Sequence, residues 1–187
     1  MSRTVALQSI GCRTNHQEMT DLSFRLKQAG FTVVDGVSAD IVVLNTCCVT
    51  STAEAKTRKA IQAISRNSPQ TRILVTGCGA QHNPAQFAGA QIAWVVDNSS
   101  KSDIPQILED DKPGTFANTQ AEGANTPLAI GALPDSLADA RLTRLPLKIQ
   151  EGCNFSCTYC IVPSVRGPSR CADEAGLCSL FERAVGL

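Results

Sequence analysis

Residues 40–64, DIVVLNTCCVTSTAEAKTRKAIQAI, carry the pattern that decides the fold. Ile41 to Leu44 form an apolar, mostly β-branched run without strict alternation; Asn45, Thr46 and Cys47 close it, and an Ala-, Lys- and Glu-containing segment follows. Such a run suits a strand buried on both faces, and the segment after it suits the helix that covers the sheet. The same order recurs on either side. TVALQSI, residues 4–10, precedes GCRTNHQE, and TRILVTG, residues 71–77, precedes CGAQHNPAQFAGA. The expected fold class is therefore α/β, a parallel-sheet domain with helices on both faces. In sheets of this kind ligands collect beyond the carboxyl ends of the strands. Cys12, Cys47 and Cys78 each follow one of the three strands, so the fold would gather them on one edge. Taken singly, each reads as a buried thiol packing as a small hydrophobe. Taken together, they have the placement a three-thiolate cluster requires.

A second cysteine set is local. CNFSCTYC, residues 153–160, spaces three thiols as C-x3-C-x2-C. Three thiolates can surround one face of an iron-sulfur cluster and leave the fourth iron open to a small molecule, whereas four would close it. The alternative is zinc, whose sites use paired C-x2-C or Cys/His spacings; no second pair lies nearby.

The segment LKIQEGCNFSCTYCIVPSVRGPSR, residues 147–170, resembles the methylthiotransferase branch of the radical S-adenosylmethionine enzymes. The amino-terminal half resembles the same family. GCRTNHQE matches its GC-x2-N-x2-[DE] pattern through Cys12, Asn15 and Glu18; NTCCVTSTAEAKTRK matches through Asn45, Thr46 and Cys47; TGCGAQ matches through Cys78. The resemblance implies two 4Fe-4S clusters. Cys153, Cys157 and Cys160 would hold the one that binds and cleaves S-adenosylmethionine, with Tyr159 near the adenine. Cys12, Cys47 and Cys78 would hold the one that delivers sulfur. Asn15 and Asn45 are candidates to orient the cysteine loops through side-chain hydrogen bonds, with plain turn chemistry as the alternative. Arg166 is a candidate to face cofactor or phosphate, with solvated charge as the alternative. No catalytic acid or base is assigned.

Within the family, Cys-Val-Thr after Cys47 resembles the form acting on N6-threonylcarbamoyladenosine beside the tRNA anticodon. The reaction implied there is radical removal of the C2 hydrogen followed by methylthio transfer, since that C–H bond is not acidic enough for an ordinary base. Cys48 in place of Thr, and RGPSR at residues 166–170, depart from that subgroup. The implied partners are the tRNA anticodon stem-loop and an electron donor such as a flavodoxin-type protein. The alternatives are a methylthiotransferase acting on isopentenyladenosine tRNA or on a ribosomal protein aspartate, and a non-catalytic iron-sulfur remnant. A flavodoxin- or Rossmann-like nucleotide module is disfavoured because IGCRTNHQE contains no G-x-G-x-x-G.

Nine cysteines in 187 residues, without a signal peptide or an apolar stretch near the ~20 residues of a membrane span, point to a cytoplasmic chain using thiols for metal. Cys48 reads as packing or a spare thiol, Cys171 and Cys178 as structural. His16 and His82 read as surface or capping residues. Formal net charge is zero, from 17 basic and 17 acidic residues, which excludes bulk electrostatic binding of nucleic acid. Two stretches are locally basic. Arg141, Arg144, Lys148, Arg166 and Arg170 face only Glu151, and Lys56, Arg58, Lys59 and Arg66 face only Glu54. Either could meet phosphate, although a solvated helix face explains the second equally.

Three segments are expected: a cluster domain at 1–110, a Gly-, Pro- and Ala-containing linker at 111–143, and the start of a radical domain at 144–187. LPLKIQEG, residues 145–152, would be the first strand of that domain, and ADEAGLCSLFERAVGL, residues 172–187, the helix returning after it. A βα unit takes roughly 30 residues, so only one fits where the family's barrel needs about six. No Gly-Gly pair for the S-adenosylmethionine strand occurs. The expectation is a truncated chain, inactive alone.

Overall fold

A computed structural model describes residues 3–36, 38–89, 91–117 and 146–185. Six strands form one parallel sheet in the order β2-β1-β3-β4-β5-β6: β1 (Thr4–Ser9), β2 (Thr32–Val34), β3 (Ile41–Thr46), β4 (Arg72–Gly77), β5 (Ile92–Val96) and β6 (Gly114–Phe116). Helices α1 (Arg13–Gln28), α2 (Ser51–Asn67), α3 (Cys78–His82) and α4 (Ile104–Asp110) connect them. All six residues of β3 are buried, as expected of its central place. Its odd-numbered side chains Ile41 and Val43 pack with Val5, Leu22, Leu26, Leu74, Trp94 and Leu108 on the α1 and α4 face. Val42, on the other face, packs with Ala6, Ile64, Ile73, Val75 and Phe87. The period-2 alternation of a strand thus feeds two cores, so no position of β3 can be polar until it reaches its carboxyl end.

Helix α1 shows how the sheet edge becomes a site. Its buried stripe repeats at three- and four-residue spacing through Asn15, Glu18, Met19, Leu22 and Leu26. The stripe is apolar over most of its length and polar in its first turns, the end that meets the carboxyl edge of the sheet. Helix α2 starts with a conventional cap, the Thr50 hydroxyl accepting from the Ala53 N–H at 3.2 Å. Thr50→Ala is expected to cost about 1 kcal/mol of stability, measured as a lower midpoint in urea.

Strand β6 lies beyond residue 110, in the start of the stretch expected to be a linker. Its backbone pairs with β5 through Trp94, Val95 and Val96, and Phe116 packs against the core of the α1 and α4 face. Residues 118–143 of that stretch lie outside the described residues. So do Arg141 and Arg144.

The carboxyl segment departs from expectation in detail. Instead of one strand over 145–152, β7 covers only Gln150–Glu151 and pairs antiparallel with β8 (Arg170–Cys171). Between them lie the three-cysteine loop and a short helix, α5 (Val162–Arg166); α6 (Glu174–Val185) follows. A strand and a returning helix are present in order, but among the described residues β7 has no parallel neighbour. Gly152 ends the strand on its carboxyl side. Its φ is +77°, and a Cβ there would collide with the Pro168 carbonyl. No helix among the described residues is long and apolar enough to cross a membrane.

Candidate functional site

Sheet register brings the amino-terminal cysteines together. Ser9 pairs with Asn45, Asn45 with Thr76, and Thr46 with Gly77, so β1, β3 and β4 end side by side with Cys12, Cys47 and Cys78 just beyond them. The chain winds from β1 to β2 on one side and to β3 on the other. Cys12 and Cys47 therefore stand at the point where strand order reverses, the place where such sheets open a crevice. A cavity of about 320 Å³ opens there, bordered by Gly11, Cys12, Cys47, Val49, Thr50 and Lys56.

Glycine makes the close approach possible. Gly11 has φ +126°, and a Cβ on it would lie 2.6 Å from Cys47 Cβ. Gly77, at φ +96°, leaves no room for a Cβ between Asn45 and the Thr46 backbone. Each Gly-Cys step in the sequence, at Gly11, Gly77 and Gly152, thus turns through a conformation that residues with a Cβ avoid.

Buried amides fix the turns. Asn15 Nδ2 donates to the carbonyls of Ile10 at 2.9 Å and Thr46 at 3.2 Å, tying the loop after β1 to the end of β3. Asn45 Nδ2 donates to the Asn15 carbonyl at 3.2 Å and to Glu18 Oε2 at 3.1 Å. The Thr46 hydroxyl donates to the Thr76 carbonyl at 2.7 Å, joining β3 to β4. The expected orienting roles of Asn15 and Asn45 match these contacts.

The thiols differ in exposure. Cys47 and Cys78 are buried and Cys12 is exposed. Burial pushes the Cys47 thiol up from its ordinary pKa, with further upward contributions from Cys78 and Cys12 that place all three within electrostatic reach; the Val49 N–H, 3.5 Å from Cys47 Sγ, acts against them. Cys48 is half-buried and donates to the Cys78 carbonyl at 3.3 Å, with its pKa pushed up to about 11 chiefly by burial. It serves the loop as a packed thiol. Three donors face sulfur: Val49 N–H toward Cys47, and Arg166 Nε at 3.3 Å and Asn98 Nδ2 at 4.0 Å toward Cys78. The Asn98 Oδ1 is buried without a hydrogen-bond partner among the described residues.

Among those residues no group of three His, Cys, Asp or Glu converges closely enough to hold one metal ion. A zinc ion draws its donors to within ~2.0–2.3 Å of a single point. A cluster instead spreads its thiolates over separate irons and is tuned by hydrogen bonds to sulfur. Cys47 and Cys78 carry N–H donors beside their sulfurs, and Cys12 follows the neighbouring strand end, so the donor set has the chemistry of the second kind of site.

Next to the thiols lies an ion-pair group that local sequence pattern gave no sign of. Glu18 accepts from Arg166 Nη1 at 2.7 Å and pairs with Lys101 and, at 3.5 Å, with Lys148. Glu151 pairs with Arg166, with Lys148 at 3.0 Å and with Arg170 at 3.8 Å. Burial alone would raise the Glu18 pKa, but Lys101, Arg166 and Lys148 outweigh it and hold the carboxyl well below the usual carboxylate range. Of the two readings of Arg166, facing cofactor or phosphate and solvated charge, the second is corrected: its side chain is 8% exposed and turned inward onto carboxylates and Cys78. Lys148 and Arg170 are likewise engaged with carboxylates. Lys56, Arg58 and Lys59 are exposed on α2, as a solvated face would be.

The second cysteine set lies on the surface. Cys157 and Cys160 are exposed and Cys153 half-buried; the Cys160 N–H donates to the Cys157 carbonyl at 3.1 Å. Tyr159 is 90% exposed and Phe155 76%, so nothing among the described residues covers this loop. Cys171 and Cys178 are exposed, which does not suit the structural role expected of them. His16 and His82 are exposed, as expected.

The family described as "Uncharacterized protein family UPF0004" matches residues 4–97. A Bacillus subtilis protein named threonylcarbamoyladenosine tRNA methylthiotransferase MtaB is 36% identical over 177 residues, 91% of this chain and 38% of the relative. The Aquifex aeolicus protein of the same name is 33% identical over 179 residues, 90% of this chain and 42% of the relative. A Prochlorococcus marinus protein named ribosomal protein uS12 methylthiotransferase RimO is 28% identical over 178 residues, 89% of this chain and 36% of the relative. The chain thus spans about two fifths of the length of these relatives.

Proposed function

Because the chain belongs to the UPF0004 family, whose match includes Cys12, Cys47 and Cys78 together, we propose that it is part of a radical S-adenosylmethionine methylthiotransferase, a transferase with two 4Fe-4S clusters. The observation that carries this reading is the register of β1, β3 and β4, which sets three thiols on one sheet edge beside N–H donors directed at sulfur. The cluster domain, expected at 1–110, runs on through β6 to Phe116 in this reading; the rest of 111–143 leads from it, and 144–187 begin the radical domain.

The chain's own residues divide the task. Cys12, Cys47 and Cys78 hold the sulfur-delivering cluster, and Asn15, Asn45 and Thr46 keep their turns in place. Cys153, Cys157 and Cys160 hold the other cluster, with Tyr159 beside them where an adenine would lie. When bound, that cluster supplies the electron that cleaves S-adenosylmethionine, the radical chemistry an unactivated C–H bond demands. Burial of Cys47 and Cys78 excludes water from one side of the amino-terminal site, while exposed Cys12 and the cavity beside it leave the other side open for sulfur to be taken up and passed on.

The substrate proposed is N6-threonylcarbamoyladenosine in the tRNA anticodon loop, methylthiolated at C2 in the cytoplasm with electrons from a flavodoxin-type donor. NTCCVT at residues 45–50 and the names of two relatives support it. The aspartate of a ribosomal protein is the second reading, favoured by the name of the Prochlorococcus relative. Mass spectrometry of tRNA nucleosides and of ribosomal proteins from cells with and without the protein separates them. The expected result is a 2-methylthio derivative of N6-threonylcarbamoyladenosine that depends on the protein; a dependent change only in isopentenyladenosine, or only in a ribosomal protein, would contradict it.

A further inference from the structure

Arg166 is far in sequence from the amino-terminal cysteines, yet its guanidinium touches their site at several points. Nε donates to Cys78 Sγ at 3.3 Å, and Nη2 donates to Asn15 Oδ1 at 2.9 Å. Nη1 is held by Glu18 Oε1 at 2.7 Å and by Glu151 Oε1. The same Asn15 oxygen lies 3.5 Å from the Cys12 thiol. The side chain is 8% exposed, so water cannot readily replace a lost donor. Its backbone is fixed as well: α5 ends at Gly167, whose φ is +71°, and the Val165 carbonyl accepts from Asn98 Nδ2 at 2.6 Å.

A planar guanidinium presents five donors in a rigid fork, which lets one residue address a sulfur, an amide oxygen and two carboxylates at fixed angles. Glu18 and Glu151 hold Nη1, and with it the orientation of the plane, leaving Nε directed at sulfur. We propose that Arg166, supplied by the carboxyl segment, is a positioning residue for the amino-terminal cluster: its Nε–H orients the Cys78 sulfur and sets the cluster's potential and retention. The assignment rests on the cluster reading above. Its consequence is that the site on the sheet edge is complete only when residues 146–171 are docked against it. Groups that orient a ligand from behind typically contribute 10–100-fold to metal affinity, and hydrogen bonds to cluster sulfurs tune reduction potential.

The test uses the full chain carrying Cys153→Ala, Cys157→Ala and Cys160→Ala, so that iron can sit only at the amino-terminal site. Arg166→Lys is the informative variant, because it keeps a cation opposite Glu18 and Glu151 but loses the Nε donor. Arg166→Gln removes the charge too. Reconstituted chains are compared by iron release to a chelator, by midpoint potential and by thermal melting. The expected result is a folded Arg166→Lys chain that releases iron about 10–100-fold faster with a more negative potential; failure of that folded chain to load iron supports the assignment equally. Should Arg166→Lys fail to fold, the same two readouts are taken on Arg166→Gln combined with Glu18→Gln. Parent-like release and potential in the folded variant would overturn the assignment. A parent chain that takes up no iron would overturn the cluster reading, and the Arg166 assignment with it.

Discussion

Glu18→Gln is expected to lower the stability of the chain by about 3–5 kcal/mol, the usual consequence of removing one partner from a buried ion-pair group. Glu18 meets Arg166, Lys101 and Lys148 at once, and its side chain is 7% exposed. A glutamine keeps the shape but leaves Arg166 and Lys148 with Glu151 as their remaining carboxylate and takes from Lys101 the carboxylate it pairs with. Asn45 Nδ2 would also lose its charged acceptor. The measurement is the urea midpoint of variant and parent. Acid dependence supplies a second readout. Because the folded-state carboxyl is held well below its unfolded value of about 4.3, the unfolded chain binds more protons as pH falls through that value. The Glu18 contribution is therefore complete above about pH 4.3 and declines below it. The parent should lose stability over that interval more steeply than the variant. Equal midpoints and equal acid slopes would show that the hub does not hold the two segments together.

The next largest expected effect is at Gly77. Its φ of +96° and ψ of −172° lie in a region that only glycine occupies readily, and a Cβ would strike Asn45 Oδ1 and the Thr46 backbone, with the Thr46 nitrogen 2.7 Å away. Strain and overpacking each cost roughly 1–3 kcal/mol, so Gly77→Ala is expected to lose about 3–5 kcal/mol. Gly30→Ala is the comparison. Gly30 has φ +83° but nothing within 4 Å, so only the conformational cost applies, about 1 kcal/mol. Thermal melts of both variants check the difference. Similar losses at the two positions would mean that the crowding at Gly77 is relieved by movement of Asn45.

The three strands that place Cys12, Cys47 and Cys78 were legible because each carries a short apolar run, most β-branched and most buried in β3 and β4, and because a cysteine follows each beyond its carboxyl end. The register that aligns those ends adds what no single run contains. Strand β6 was hidden because it is three residues long and begins at a Pro113-Gly114 turn signal; Thr115 and Phe116 suit a strand, and backbone pairing with β5 makes them one. The Glu18 hub was hidden for another reason. Its partners lie 83, 130 and 148 residues away, and charge patterning reports only neighbours along the chain. Arg166 read as a residue for cofactor or phosphate, or as solvated charge, because its local context is basic; its surroundings come from α1, α3 and β7, which local context does not report. Asn15 and Asn45 make side-chain hydrogen bonds to backbone, from the first turn of α1 and the end of β3, which short amides do whether or not a ligand is present. Cys171 and Cys178 were misjudged because composition cannot tell a buried thiol from one on an exposed strand or helix face.

The central claim is that Cys12, Cys47 and Cys78 hold one cluster and Cys153, Cys157 and Cys160 another. It is tested most directly by iron and acid-labile sulfide per chain after anaerobic reconstitution, on the parent and on a Cys12→Ala, Cys47→Ala, Cys78→Ala variant. About eight irons falling to about four is the expected result. About four irons in both would leave a single site on the carboxyl loop and contradict the role assigned to the sheet edge.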